Sequence, residues 1–171
     1  MKYLLLLFLI VSLFFLVFCR NPFAPALAGE DAPHSRLLTD QKTPEEVLSN
    51  FQYAYTFRDS LVYSEVLDST FLYKSVNYEP YPPEPILWGR DTELRTAGGM
   101  FRYFRTLDVV WNTISEPDSS EWPQGIIKHF VTFTLTLDGG QEFAPLNGEV
   151  EFKFILRDGK FYISYWEDLK T

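Results

Sequence analysis

The sequence predicts an α+β domain in which helices pack on one face of an antiparallel sheet. Three observations carry this. The hydrophobic period is helical in the first half, it changes to two from Leu107 onward, and turn signals divide that second half into strands. A chain of 171 residues, 46% hydrophobic and 22% charged, has material for one such domain with extensions, and its 16 Phe, 10 Tyr and 4 Trp give it an aromatic core.

Thr43-Pro44-Glu45-Glu46 opens the first helix, with Thr43 as N-cap, Pro44 at the first helical position and Glu46 reaching back. Val47, Leu48, Phe51, Ala54 and Tyr55 then share one face, ending near Phe57. Asp59 caps a second, shorter helix whose stripe is Leu61, Val62, Val66 and Leu67. Phe71 to Tyr78 is aromatic and β-branched, which predicts a strand. The run Glu79-Pro80-Tyr81-Pro82-Pro83-Glu84-Pro85 predicts a loop, because proline removes a donor and restricts its predecessor. Asp91 is the expected cap of a third helix buried through Leu94, Ala97, Gly98, Phe101 and Phe104, with Gly98-Gly99 expected to let it pack closely on a sheet.

Leu107, Val109 and Trp111 begin the alternating half, followed by a polar loop from Ser115 to Gly125. Ile127, His129, Val131, Phe133, Leu135 and Leu137 lie on one face of a long strand. Asp138-Gly139-Gly140 breaks it, Val150 to Leu156 forms the next, and Asp158-Gly159 turns the chain into a last strand from Phe161 to Trp166.

The N-terminal residues read as a targeting segment. Lys2 precedes an apolar run from Tyr3 to Phe18 broken only by Ser12, whose helical length of about 24 Å falls short of a bilayer core of about 30 Å. Residues 1–18 are therefore expected to be a signal peptide. Leu16-Val17-Phe18-Cys19 resembles a bacterial lipobox, although Phe18 stands where lipoprotein peptidase ordinarily takes a small residue. The expectation is a chain lipidated on Cys19 and held in the cell envelope, on the periplasmic or outer-membrane side. Cleavage after Ala26-Leu27-Ala28 is the competing outcome and would release a soluble secreted protein. Residues 19–42, rich in Pro, Ala and charge, read as the lipidated cysteine and its tether, and residues 43–171 as the domain.

The net charge of −8 opposes nucleic-acid phosphate and anionic membrane surfaces. One cysteine excludes an internal disulfide, and two histidines, His34 and His129, are too few for a histidine-rich metal site, so no metal and no cofactor is expected. Glu116, Asp118 and Glu121 crowd one loop without the spacing of a calcium loop, and read as a solvated acidic turn.

The element order resembles the nuclear transport factor 2-like superfamily over about 43–169. So do Trp88-Gly89-Arg90-Asp91 at the third helix and Asp158-Gly159-Lys160 leading to Tyr165-Trp166-Glu167-Asp168. More narrowly, the chain is similar to bacterial secreted lipoproteins of that superfamily with no assigned activity. The resemblance implies a cystatin-like cone, in which a curved antiparallel sheet wraps the N-terminal helices and encloses an apolar pocket. Ketosteroid isomerase and scytalone dehydratase use such pockets with sets of Tyr, His and Asp; other members only bind or dimerise.

No complete catalytic set maps onto this sequence. His129 is the first candidate base, since its parity buries it and a carboxylate could hold it near neutrality. Tyr55 could donate to a ligand carbonyl and Asp59 could act as a base. Tyr53 could donate in the same way and Asp68 could act as a base, but the stripe accounts for Tyr55, cap and turn positions account for Asp59 and Asp68, and Arg90 and Asp91, which could flank a ligand, read as a helix entrance. The expected function is therefore a lipid-anchored module binding a small apolar ligand, a protein partner or a second copy of itself. The alternative is an isomerase or dehydratase with His129 as base.

Overall fold

The computed structural model describes residues 37–140 and 142–170. The leader, Cys19, His34 and most of the tether lie outside the described residues. Helices α1 (Pro44–Phe57), α2 (Ser60–Val66) and α3 (Arg90–Tyr103) pack with a curved sheet of six strands. These are β1 (Leu67–Asn77), β2 (Glu84–Gly89), β3 (Leu107–Ile114), β4 (Ile126–Leu137), β5 (Leu146–Arg157) and β6 (Lys160–Lys170). Their order is β2-β1-β6-β5-β4-β3. The β1–β6 pair is parallel and every other pair antiparallel.

Helix α1 starts as its sequence dictates. The Thr43 hydroxyl accepts the Glu46 N–H at 3.3 Å, while the Glu46 carboxylate reaches back one residue further than a reciprocal capping box does, to the Lys42 N–H at 2.6 Å. Its apolar stripe sets Phe51 at the centre of the core, with ring centroids 4.7 Å from Tyr55, 5.3 Å from Tyr63 and Trp111, and 5.7 Å from Trp166. Asp59 caps α2 by accepting the N–H groups of Leu61 and Val62. Register shifts in the β3–β4 and β5–β6 pairings supply local bends to the sheet.

Six expectations need correction. The proline run is not wholly a loop, because β2 begins at Glu84 and takes in Pro85 opposite Val76. It is an edge strand, so a proline there costs no inner ladder bond. Leu67, read as part of the helix stripe, caps α2 and begins β1. Helix α3 is capped by Gly89 without a side-chain bond, and Asp91 sits in its first turn, where its charge favours the helix N-terminus. Strand β5 starts at Leu146, four residues before the apolar alternation that announced it.

Gly98 faces α2 rather than the sheet: an added Cβ would lie 3.5 Å from the Arg102 guanidinium and 4.0 Å from the Ser60 hydroxyl. Gly99 borders open space. The end of the expected tether is also part of the folded unit. The Thr39 N–H donates to Asn50 Oδ1 at 2.8 Å, and the buried Gln41 amide donates to the Phe161 carbonyl at 3.0 Å. Composition alone marked these residues as tether; two long-range side-chain bonds hold them in place.

Candidate functional site

Strand register creates a transverse row of rings. Trp88 on β2 opposes Tyr73 on β1, Tyr73 opposes Trp166 on β6, and Trp166 opposes Phe152 on β5. Directly opposed residues point to the same face, so this row crosses four strands on the inner side. Tyr73 and Trp88 stack with centroids 4.1 Å apart and planes 17° from parallel. Trp166 stands edge-on to Tyr73 at 5.6 Å and to Phe152 at 5.3 Å. A second cross-strand pair, Trp111 and Phe133, continues the wall on β3 and β4.

These rings form the sheet side of a cavity of about 230 Å³. Tyr55 from α1 and Glu93, Thr96 and Met100 from α3 form the helical side, with Val109 and Leu135 closing the β3–β4 end. Glu93 belongs to the buried stripe of α3, one turn before Ala97 and two before Phe101. That spacing was readable, but a glutamate in a first helical turn is ordinarily credited to the helix dipole, and the sequence reading passed over it.

The cavity wall carries a polar network. Glu93, 5% exposed, accepts the Tyr63 hydroxyl at 2.6 Å and the Trp88 indole N–H at 2.8 Å. At the edges of two of the rings, Asp168 accepts the Trp166 indole N–H at 2.7 Å and also the Tyr73 hydroxyl. Burial, then the Glu93 charge, holds the Tyr55 hydroxyl well above the usual tyrosine range, and burial followed by the Tyr55 and Glu93 charges does the same for Tyr63. Tyr73 is likewise raised, by burial and by its bond to Asp168. All three hydroxyls stay protonated at any ordinary pH, and those of Tyr63 and Tyr73 donate to carboxylates.

The sequence-predicted residues are dispersed. Tyr55 lines the cavity, whereas Asp59 is spent on the α2 cap. His129 is buried to 1% exposure on the inner face, opposite Phe152, but it is not among the cavity-lining residues. Its Nδ1 lies 2.9 Å from the Ser115 carbonyl, and its Nε2, without a hydrogen-bond partner, faces Glu45 Oε1 at 3.7 Å. Asp68 accepts Arg157 and Thr70, and the Arg90 guanidinium donates to the Ser64 carbonyl at 2.8 Å. In the acidic loop, Asp118 and Glu121 pair with Lys128 and Lys153. Among the described residues no cluster of three His, Cys, Asp or Glu side chains is placed to hold a metal ion.

No protein-family model and no curated protein matches the chain. Solved structures do. A protein of unassigned function with a cystatin-like fold from Caulobacter vibrioides superposes with a TM-score of 0.56 at 16% identity, covering 74% of this chain and 86% of the other. A candidate scytalone dehydratase from Novosphingobium aromaticivorans gives 0.59 at 16% identity, covering 74% and 80%. A protein of unknown function from Nostoc punctiforme, also cystatin-like, gives 0.54 at 12% identity, covering 77% and 92%. The fold is cystatin-like, of the nuclear transport factor 2 kind. At these identities the likeness concerns the backbone path, and the chemistry has to be argued from the side chains.

Proposed function

We propose that this chain is an exported binding module that holds a small apolar ligand in the aromatic cavity and is tethered to a membrane through lipid on Cys19. The observation that carries the binding half is the composition of the cavity wall. Trp88, Trp111, Trp166, Tyr73, Phe133 and Phe152 turn ring surface toward a space of about 230 Å³. An apolar engineered cavity of roughly 150 Å³ accepts benzene, so a ligand of about ten non-hydrogen atoms fits. The anchoring half rests on the apolar run ending at Cys19.

Catalysis by His129 has less support. A ligand in the cavity would be bordered by Tyr55 and Glu93, and His129 is not on that border. A tethered binder also suits a cavity whose polar groups bond mainly to one another.

The binding half is tested with tert-butylbenzene. We expect saturable broadening of its methyl NMR signal, lost in Met100→Trp, which fills the helical side of the cavity. Equal broadening by wild type and variant would place the ligand elsewhere and reject the reading. The anchor is tested by radioactive fatty-acid labelling with and without Cys19→Ser, and an unlabelled wild-type chain rejects it.

A further inference from the structure

We propose that the ligand of the aromatic cavity is a hydrophobic organic cation, of the alkylammonium or quaternary ammonium class. This rests on the binding reading above and names the ligand class for the same cavity.

The charge pattern of the wall points this way. Among the described residues, the only ionisable groups lining the cavity besides tyrosines are carboxylic, namely Glu93, and no Lys, Arg or His is present. An organic anion would meet that wall without a counter-charge. A neutral ligand would be accepted, with the Thr96 and Tyr55 hydroxyls as its polar partners, but it would draw nothing from the Glu93 charge.

The orientation of the ring protons adds a second, independent argument. Trp88 gives its indole N–H to Glu93, Trp166 gives its own to Asp168, and Tyr73 gives its hydroxyl proton to the same aspartate. Each of these three rings has one polar proton, and each donates it to a carboxylate at the ring edge. Such a bond polarises the ring toward its face, where an aromatic quadrupole is already negative and attracts cations. Tyr73 and Trp88 stack, so each covers one face of the other and only their outer faces are left for a cation, while Trp166, set at a steep angle to Tyr73, adds a third ring to the same wall.

Both carboxylates accept from neutral donors, a phenol and an indole each, and among the described residues no Lys or Arg hydrogen-bonds either of them. Their field therefore extends into the cavity. The ammonium centre would rest on ring faces, with Glu93 on the cavity wall and Asp168 at the ring edges, and its alkyl or aryl bulk would lie toward Met100, Leu135 and Phe133. The chain's net charge of −8 further favours the approach of cations.

An isosteric pair separates charge from shape: phenyltrimethylammonium and tert-butylbenzene differ only in the central atom and its charge. We expect the full-length chain to bind the cation at least about tenfold more tightly than the hydrocarbon. Asp168→Asn and Glu93→Gln, which keep an acceptor for the ring protons, should each reduce that ratio severalfold, with the hydrocarbon's affinity reporting that the cavity is intact. Equal or tighter binding of the hydrocarbon overturns the cation and leaves the binding module standing. Failure of both to bind removes the binding module as well. A ratio unchanged in both variants overturns the role of the carboxylate-backed rings, and with it this proposal.

Discussion

Two buried carboxylates, Asp68 and Glu93, are 3% and 5% exposed, yet they are satisfied in opposite ways. Asp68 meets a guanidinium, as Arg157 donates to both of its oxygens and Thr70 adds its N–H and hydroxyl. Glu93 meets only neutral donors, a phenol and an indole. The first arrangement neutralises the charge on the spot and ties β1 to the end of β5. The second satisfies the hydrogen bonds but leaves the charge for the cavity. Identical chemistry in the side chain thus makes a clasp in one place and an electrostatic wall in the other.

Removing the acceptor from the cavity wall should have the largest effect. Glu93→Ala strands the buried Tyr63 hydroxyl and the Trp88 indole, and we expect a loss of about 3 kcal/mol in urea unfolding. Glu93→Gln, which retains one acceptor oxygen, should lose less than about half of that. A fully tolerated Glu93→Ala would mean that the network does not hold the wall.

The clasp should cost less to break, because Arg157 is 45% exposed and water can replace much of the pairing. Asp68→Asn is expected to lower stability by about 2 kcal/mol at neutral pH. The pH dependence carries the sharper signature. Burial alone would raise the Asp68 carboxyl, but its bonds from Arg157 and Thr70 outweigh that and hold it below its ordinary 3.8. A carboxyl depressed in the folded state stabilises the fold above 3.8, and that contribution is lost as pH falls from there through the lower folded value. Unfolding curves of wild type and Asp68→Asn should therefore converge on acidification. Parallel curves down the acid limb would show that the pair is not coupled to folding.

The smallest expected effect is alkaline. Tyr55, Tyr63, Tyr73 and Tyr165 are all raised above 10.0, burial being the first cause in each. These hydroxyls stay protonated in the folded chain while they ionise in the unfolded one, so stability should decline as pH rises past 10.0. Absorbance titration at the tyrosinate band should show these four lagging behind the exposed Tyr78, Tyr81 and Tyr103. Simultaneous titration of all the tyrosines would contradict the buried wall.

Much of the fold was legible because local chemistry and burial agree. Thr43 and Asp59 act as caps where their spacing placed them, and the parity of β4 buries His129 and Val131 while exposing Phe130. Errors fell where a neighbour overrules a local preference. Pro85 is tolerated because β2 is an edge, and Thr39 and Gln41 are held by Asn50 and Phe161 although their composition resembles a linker.

The candidate site was far less legible. Tyr55 could be chosen from its stripe, but the cavity depends on Trp88, Tyr73, Trp166 and Phe152 lying abreast on four strands. Those residues are dispersed from 73 to 166, and only the parallel β1–β6 pairing brings Tyr73 beside Trp166. Period and capping are local properties, so the sequence by itself determined most of the elements, most of their inward faces and the acidity of the chain. Strand register is a long-range choice settled when the sheet closes on α1. That choice, made in the tertiary structure, set Trp88 within reach of Glu93 on α3, put Asp168 at the edges of Trp166 and Tyr73, and left His129 outside the cavity lining.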